Sequence, residues 1–301
     1  MNHLKRQLLA IIVSFGALLF ASSAIAKPLN VVATTGMIAD LAINVGQDKV
    51  KVVSLMGSGV DPHLYKATQG DLRRLLKADI IFYNGLHLEG KMQDIFEKLA
   101  RKKPVRAITS TLEHNRIMEA DGAHDPHVWF DVSIWHHAVK EVLEELIKRD
   151  PSNQSFYQKN AGVYLAKLDE LHVWAGEQIK RIPKSQRMLI TAHDAFGYFG
   201  RAYGLEVRGL QGVSTASEFG LNDIKRLKRV IVKRKIKAVF VESSVPKKFL
   251  QSLVAGVKAE GGELEIGGEL FSDAMGLKGT AEGTYIGMVT HNVNTIVSAL
   301  K

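Results

Sequence analysis

The chain has 301 residues, 40 Lys and Arg against 31 Asp and Glu, a formal charge of +9 and no cysteine. The missing cysteine excludes disulfides, thiolate metal ligands, a cysteine nucleophile and a lipid-modified N-terminal Cys, so any metal site must use imidazole and carboxylate. The basic clusters, Arg101-Lys102-Lys103 and Lys225 to Lys237, lack the interleaved aromatics that stacking on single-stranded nucleic acid requires, and they read as solvated surface with no nucleic-acid partner.

Residues 1–26 open with Lys5 and Arg6, continue through the apolar run Leu8 to Phe20, and end on Ala24-Ile25-Ala26. That order is a secretory signal peptide cleaved after Ala26, and the run falls short of the ~20 residues a membrane span needs. The mature chain is therefore expected in the periplasm, exported, soluble and not lipid-anchored. Roughly 275 remaining residues exceed what one core normally holds, which favours two lobes.

In chain order, Leu29 to Thr35 reads as a buried strand, followed by a helix through Met37 to Val45. Val50 to Met56 is the next strand, and Thr68 is placed to cap a helix through Leu72, Leu75 and Leu76. Strands at Asp79 to Gly85 and Val105 to Ser110 enclose a helix around Ile95 to Ala100, and a helix carrying Trp135, Val139, Val142 and Leu146 closes the first lobe, 27–150. Tyr157, Ala161, Tyr164, Leu168, Leu171 and Ala175 then recur at helical spacing with no internal proline, giving one linking helix within 151–182. The second lobe, 183–301, repeats the pattern with strands at Arg187 to His193, Glu206 to Gln211, Ala238 to Ser243 and Glu263 to Leu270. Its helices fall around Leu221 to Arg234, Pro246 to Glu260 and Thr284 to Leu300. Apolar strands alternating with helices specify an α/β fold of two (β/α)4 Rossmann-like lobes with parallel sheets, joined by one long rigid α-helix.

Open parallel sheets bind ligands beyond the carboxyl ends of their strands. The ionisable side chains expected there are His63 and His127 in the first lobe and His193 and Asp273 in the second. Singly, each histidine reads more simply as a loop or capping residue; at four strand ends facing one cleft they read as a complete metal shell. A catalytic metal keeps a position open for water, and no H-E-x-x-H motif occurs, so a closed set of four favours holding an ion over turning one over. His63 and His127 each end an Asp-Pro-His tripeptide, in which proline stiffens the approach to the imidazole. The preceding Asp61 and Asp125 could support the ring from outside the metal shell or cap a turn, and both readings stand. His87 and Glu242, also at strand ends, are expected beside the site rather than on the ion, and His114 and His124 in a polar loop.

The segments DPHLYKAT, YNGLHLEG, HDPHVWFDV, TAHDAFGYFGRAYG, GLQGVSTASE, VFVESSVP and GGELFSDAMG resemble the metal-binding solute receptors of zinc and manganese ABC transporters, the cluster A-I, TroA- and ZnuA-like family. The resemblance covers essentially all of the mature chain. It implies a metal ion in the cleft between lobes, held by His63, His127, His193 and Asp273, and delivery to a membrane permease driven by a cytoplasmic ATPase. In that family His at position 193 is the zinc pattern, whereas the short interval Leu112 to Ala123 departs from the His-rich loop of many zinc receptors. Three imidazoles and a carboxylate favour Zn2+, with Mn2+ close behind and Fe2+ third. A monomer is expected. A periplasmic metal-dependent hydrolase, with Glu242 or Asp194 as base, and a metal-binding adhesin are the alternatives.

Overall fold

The computed structural model describes residues 27–120, 122–217 and 219–301; the expected signal peptide, 1–26, lies outside the described residues. The first sheet is formed by β1 (Leu29–Ala33), β2 (Val50–Ser54), β3 (Ile80–Tyr83) and β4 (Val105–Ala107), all parallel, in the order β2-β1-β3-β4. A two-stranded hairpin, β5 (Glu119–Ala120) and β6 (Ala123–His124), follows. The second sheet holds β7 (Met188–His193), β8 (Glu206–Gln211), β9 (Ala238–Glu242) and β10 (Glu265–Leu270), again parallel, in the order β10-β9-β7-β8. Both sheets share one topology, in which the chain runs from an inner strand to one edge and then crosses to the other side. That reversal opens a crevice at the strands' carboxyl ends, where loops from both sheets can meet.

Burial explains why the strands are apolar throughout. All of β7 and β9 is buried, because helices cover both faces of the sheet. The helices are α1 (Gly36–Gly46), α2 (Gln69–Lys77), α3 (Gln93–Ala100), α4 (Val132–Arg149), α5 (Gln154–Lys180), α6 (Gly197–Tyr203), α7 (Leu221–Arg234), α8 (Lys248–Lys258) and α9 (Tyr285–Leu300). Thr68 caps α2 as its sequence position predicts, accepting from the Asp71 N–H while Asp71 accepts from the Thr68 N–H, a reciprocal capping box.

The long helix α5 spans 27 residues, ~40 Å at 1.5 Å per residue. It begins after a short 3-10 turn, Pro151–Asn153, held by Asp150, which accepts from Ser152, Asn153 and Tyr157. The predicted stripe Tyr157, Ala161, Tyr164, Leu168, Leu171 and Ala175 is buried, together with Ile179. These side chains enter one continuous core that runs from Val31 in β1 through α1, α4, α5 and α6 to Leu270 and α9. Smaller clusters lie under the outer helices, Leu75, Ile81 and Phe96 on the first sheet and Ile190, Ile231 and Leu253 on the second. The two lobes thus share their inner core, and the body is stiffer than two separately packed domains on a hinge. Among the described residues, no helix is long and apolar enough to cross a membrane.

Two elements do not figure in the sequence prediction. Helix α6 packs Tyr198, Phe199 and Tyr203 into the core and ends at Gly204, whose φ of 76° a side chain would disfavour. It is too short to show helical periodicity. The β5–β6 hairpin pairs only two residues per strand. Truncating Leu168, fully buried in the middle of α5, is expected to cost ~2–5 kcal/mol of stability in urea or thermal unfolding. A loss below ~1 kcal/mol would show that the stripe does not carry the shared core.

Candidate metal centre

Each Asp-Pro-His tripeptide builds the same turn. The Oδ1 atoms of Asp61 and Asp125 each accept a 2.9 Å hydrogen bond from the backbone N–H two residues on, of His63 and His127. Proline between them donates nothing and holds the turn stiff. The two aspartates then differ. Asp125 Oδ1 also receives the imidazole Nδ1 of His127 at 2.8 Å, whereas Asp61 Oδ2 accepts the Thr215 hydroxyl of the second lobe at 2.6 Å. Of the two roles open from sequence, Asp125 fills both and Asp61 only the turn.

The second lobe orients its histidine differently. His193 is the last residue of β7, and Glu242, the last of β9, binds its N–H at 2.8 Å and its Nδ1 at 2.5 Å. Asp273 follows β10. Asn292 on α9 brackets Phe271 at both N–H and C=O, and the Trp129 indole donates to the Ser272 carbonyl at 3.0 Å. Trp129 lies two residues beyond His127, and its own carbonyl accepts the Tyr285 hydroxyl at 2.7 Å. The Asp273 loop is therefore fastened to the first lobe as well as the second.

Nε2 of His127 lies 3.3 Å from Nε2 of both His63 and His193. The Asp273 oxygens lie 3.3, 3.4 and 3.8 Å from the Nε2 atoms of His193, His127 and His63. One ligand atom from each residue falls within 4.8 Å of all the others. The four are buried, at 6% exposure for His63, 2% for Asp273 and none for His127 and His193. Among the described residues no hydrogen bond reaches either Asp273 oxygen. A tetrahedral ion with bonds of about 2.0–2.1 Å would hold its ligand atoms about 3.3–3.4 Å apart, which the contacts among His127, His193 and Asp273 and from His127 to His63 match, while His63 stands farther from Asp273 at 3.8 Å. In both His127 and His193 the carboxylate on Nδ1 keeps the proton there and turns the Nε2 lone pair inward.

Electrostatics set a competition between ion and protons. Burial lowers the His127 imidazole, but the hydrogen bond and charge of Asp125, aided by Asp273, outweigh it and raise it to about 9. His193 is driven well above its ordinary value against the same burial, by Glu242 and Asp273. Burial takes His63 down to about 3, the opposing pull of Asp273 notwithstanding, with His127 and His193 adding to the fall. Burial would raise Asp273, yet the charges of His193 and His127 hold it well below the usual carboxylate range. Without an ion, the carboxylates around His127 and His193 favour protons on both rings, and an entering metal has to displace them.

The remaining sequence expectations fall elsewhere. His87 is not beside the site. Gly85, Leu86 and His87 take φ values of 87°, 51° and 63°, and this left-handed stretch leaves His87 exposed. The buried group in that loop is Glu89, which accepts from the Thr34 hydroxyl at 2.7 Å and the Asn84 N–H at 2.8 Å. His114 and His124 pair their rings 5.6 Å apart by the β5–β6 hairpin, where His124 meets Glu119 at 2.6 Å, outside the cage. Thr215, Trp129 and Asn292 carried no individual sequence signal, although Thr215 and Trp129 lie within the quoted GLQGVSTASE and HDPHVWFDV segments.

Two parallel α/β lobes presenting four side chains of metal-ligating type, with donor atoms close enough to share one ion, define a metal-receptor type of protein. The chain belongs to the family described as zinc-uptake complex component A, periplasmic, whose sequence model matches residues 31–299. The zinc-binding protein TroA of Treponema pallidum is 51% identical over 275 residues, 91% of this chain and 89% of that one. The manganese-binding lipoprotein MntA of Bacillus subtilis is 49% identical over 277 residues, 91% and 90% of the two chains. The solved periplasmic zinc-binding protein TroA from Treponema pallidum shares the fold at a TM-score of 0.89 and 49% identity, over 91% of this chain and 99% of that one.

A divalent ion entering this cage displaces the protons on His127 and His193, so its capture at pH 7 is expected to release close to two protons. Calorimetry in buffers of differing ionisation enthalpy reads that number, and release of none would contradict the charge assignment. Apparent affinity is then expected to fall as pH drops, by about a hundredfold per unit at the two-proton limit, because His127, raised to about 9, and His193, raised well above its ordinary value, compete for the ion with protons. Replacing the orienting carboxylate, Glu242→Gln, is expected to weaken metal binding about 10–100-fold in competitive titration while the fold is retained.

Proposed function

We propose that this protein is a periplasmic receptor that captures a divalent transition-metal ion between its lobes and delivers it to the permease of an ABC-type importer powered by a cytoplasmic ATPase. The ligands are His63, His127, His193 and Asp273. The observation that carries this reading is the Asp273 carboxylate, buried with both oxygens free of hydrogen bonds and facing three inward imidazole nitrogens. Uncompensated, such a group costs several kcal/mol, and an ion at the centre removes that cost.

The donor set favours Zn2+ over Mn2+ and Fe2+ in intrinsic affinity. Relatives named for zinc and for manganese are nearly equal in identity, at 51% and 49%, so the donor chemistry rather than the likeness supports zinc. The cage is built for holding rather than hydrolysis. Its four protein ligands leave no position for a nucleophilic water, and Glu242, a base a hydrolase would need, is committed through both oxygens to His193. The lobes are assigned to 27–150 and 183–301, with 151–182 between them, in line with the two sheets and α5. We place the mature protein in the periplasm as a soluble monomer. Although a relative is named a lipoprotein, cysteine, the residue that carries such a lipid, does not occur in these 301 residues.

Protein purified without chelator is expected to carry about one zinc per chain by elemental analysis, and to prefer zinc over manganese in direct competition. Near-stoichiometric manganese under both conditions would overturn the cargo assignment. At a free zinc concentration 100-fold above Kd, thermal unfolding should report ~2.7 kcal/mol of added stability. His193→Ala is expected to lose most of that gain; an unchanged shift would remove His193 from the ligand set.

A further inference from the structure

Asp125 steadies the His127 ring and Glu242 the His193 ring, while Asn292 and Trp129 bracket the approach to Asp273. His63 is different. Among the described residues no carboxylate meets its Nδ1, and its backbone is held by the Asp61 turn alone. The loop bearing it leaves the edge strand β2, and Gly57, Ser58 and Gly59 ahead of the turn are exposed.

Thr215 of the other lobe hydrogen-bonds to this loop, and the Ser243 carbonyl lies against Gly59. The Thr215 hydroxyl donates to Asp61 Oδ2 at 2.6 Å while Asp61 Oδ1 holds the His63 N–H at 2.9 Å, so one carboxylate joins the ligand's turn to the second lobe. Thr215 is itself well placed for this. Gln211 Nε2 donates to the carbonyls of Thr215 and Ser217 at 2.7 and 2.6 Å, and the Ser217 N–H closes a turn on the Ser214 carbonyl at 3.0 Å. Gln211 is the β8 partner of His193 in the sheet register. A short chain of bonds thus runs from the strand position beside one metal ligand to the turn that carries another, across the gap between lobes.

We infer that Thr215 and Asp61 form an interlobe clasp that positions His63 over the captured ion and sets how slowly the ion leaves. This rests on the metal-receptor reading. With the clasp closed, the His63 loop cannot swing outward unless the hydroxyl–carboxylate bond breaks. With it open, the ion keeps three ligands and the fourth is free to exchange with water. Thr215 and Asp61 are positioning residues, since neither reaches the cage.

Zinc-loaded full-length protein mixed with excess chelator in a stopped-flow instrument tests this. Thr215→Val keeps the side chain's shape and removes the donor, and is expected to release zinc about tenfold faster with little change in the association rate. Thr215→Ser, which restores a hydroxyl, should return release to near the original rate, an outcome a purely structural defect would not give. Thr215→Ala serves in place of Thr215→Val if circular dichroism shows the latter misfolded. In a double-mutant cycle with Asp61→Ala, adding Thr215→Val should cause no further acceleration. Release from Thr215→Val at the original rate, or effects that multiply in the double variant, would overturn the clasp. If the unaltered protein captures no zinc in the same instrument, the receptor reading itself falls, separately from the clasp.

Discussion

Asp273 brings a carboxylate into a space closed to water, and among the described residues no hydrogen bond reaches either oxygen. A charge left in that condition costs several kcal/mol unless opposite charge is held against it. The surrounding chemistry answers that requirement in two states. Without an ion, the raised proton affinity of His127 and His193 opposes the carboxylate's charge; a divalent ion would take over that role and displace the protons.

The fold is arranged to hold those groups at one point. Two sheets of identical topology contribute to one cage, from the loop after β2, the segment just past the β5–β6 hairpin, the last residue of β7 and the loop after β10. Three kinds of support fix the donors. Asp125 and Glu242 orient rings; Trp129 and Asn292 fix the backbone of the Asp273 loop; Asp61 shapes the His63 turn and joins it to the second lobe. The shared core around α5 resists wide relative motion of the lobes, so ligand exchange falls to local loops. The absence of a proline device in the second lobe would by itself make His193 and Asp273 the looser ligands. The bonding points instead to His63, because Asp273 is fastened to both lobes and His193 sits inside a strand.

Much of this was legible in the sequence, and the residues show why. The cage residues announced themselves because each follows a strand whose apolar run marks its end, and two of them share the Asp-Pro-His signature. Thr68 and the Leu168 stripe were legible because capping and helical spacing are local properties. Thr215 was not, since its role exists only once two distant loops are brought together, and its neighbours are small polar residues common in any turn. His87 misled for the opposite reason. It stands near a strand end, but three consecutive left-handed residues carry it outward and leave Glu89 inside. Helix α6 escaped notice because it is seven residues long.

The central claim is that His63, His127, His193 and Asp273 close around one ion with no place left for water. X-ray absorption spectroscopy of the zinc-loaded protein tests this most directly. The account predicts a first shell of three imidazole nitrogens and one carboxylate oxygen at about 2.0–2.1 Å, with the multiple-scattering signature of three rings. Two or fewer imidazoles, or a zinc-bound water in place of Asp273, would contradict it.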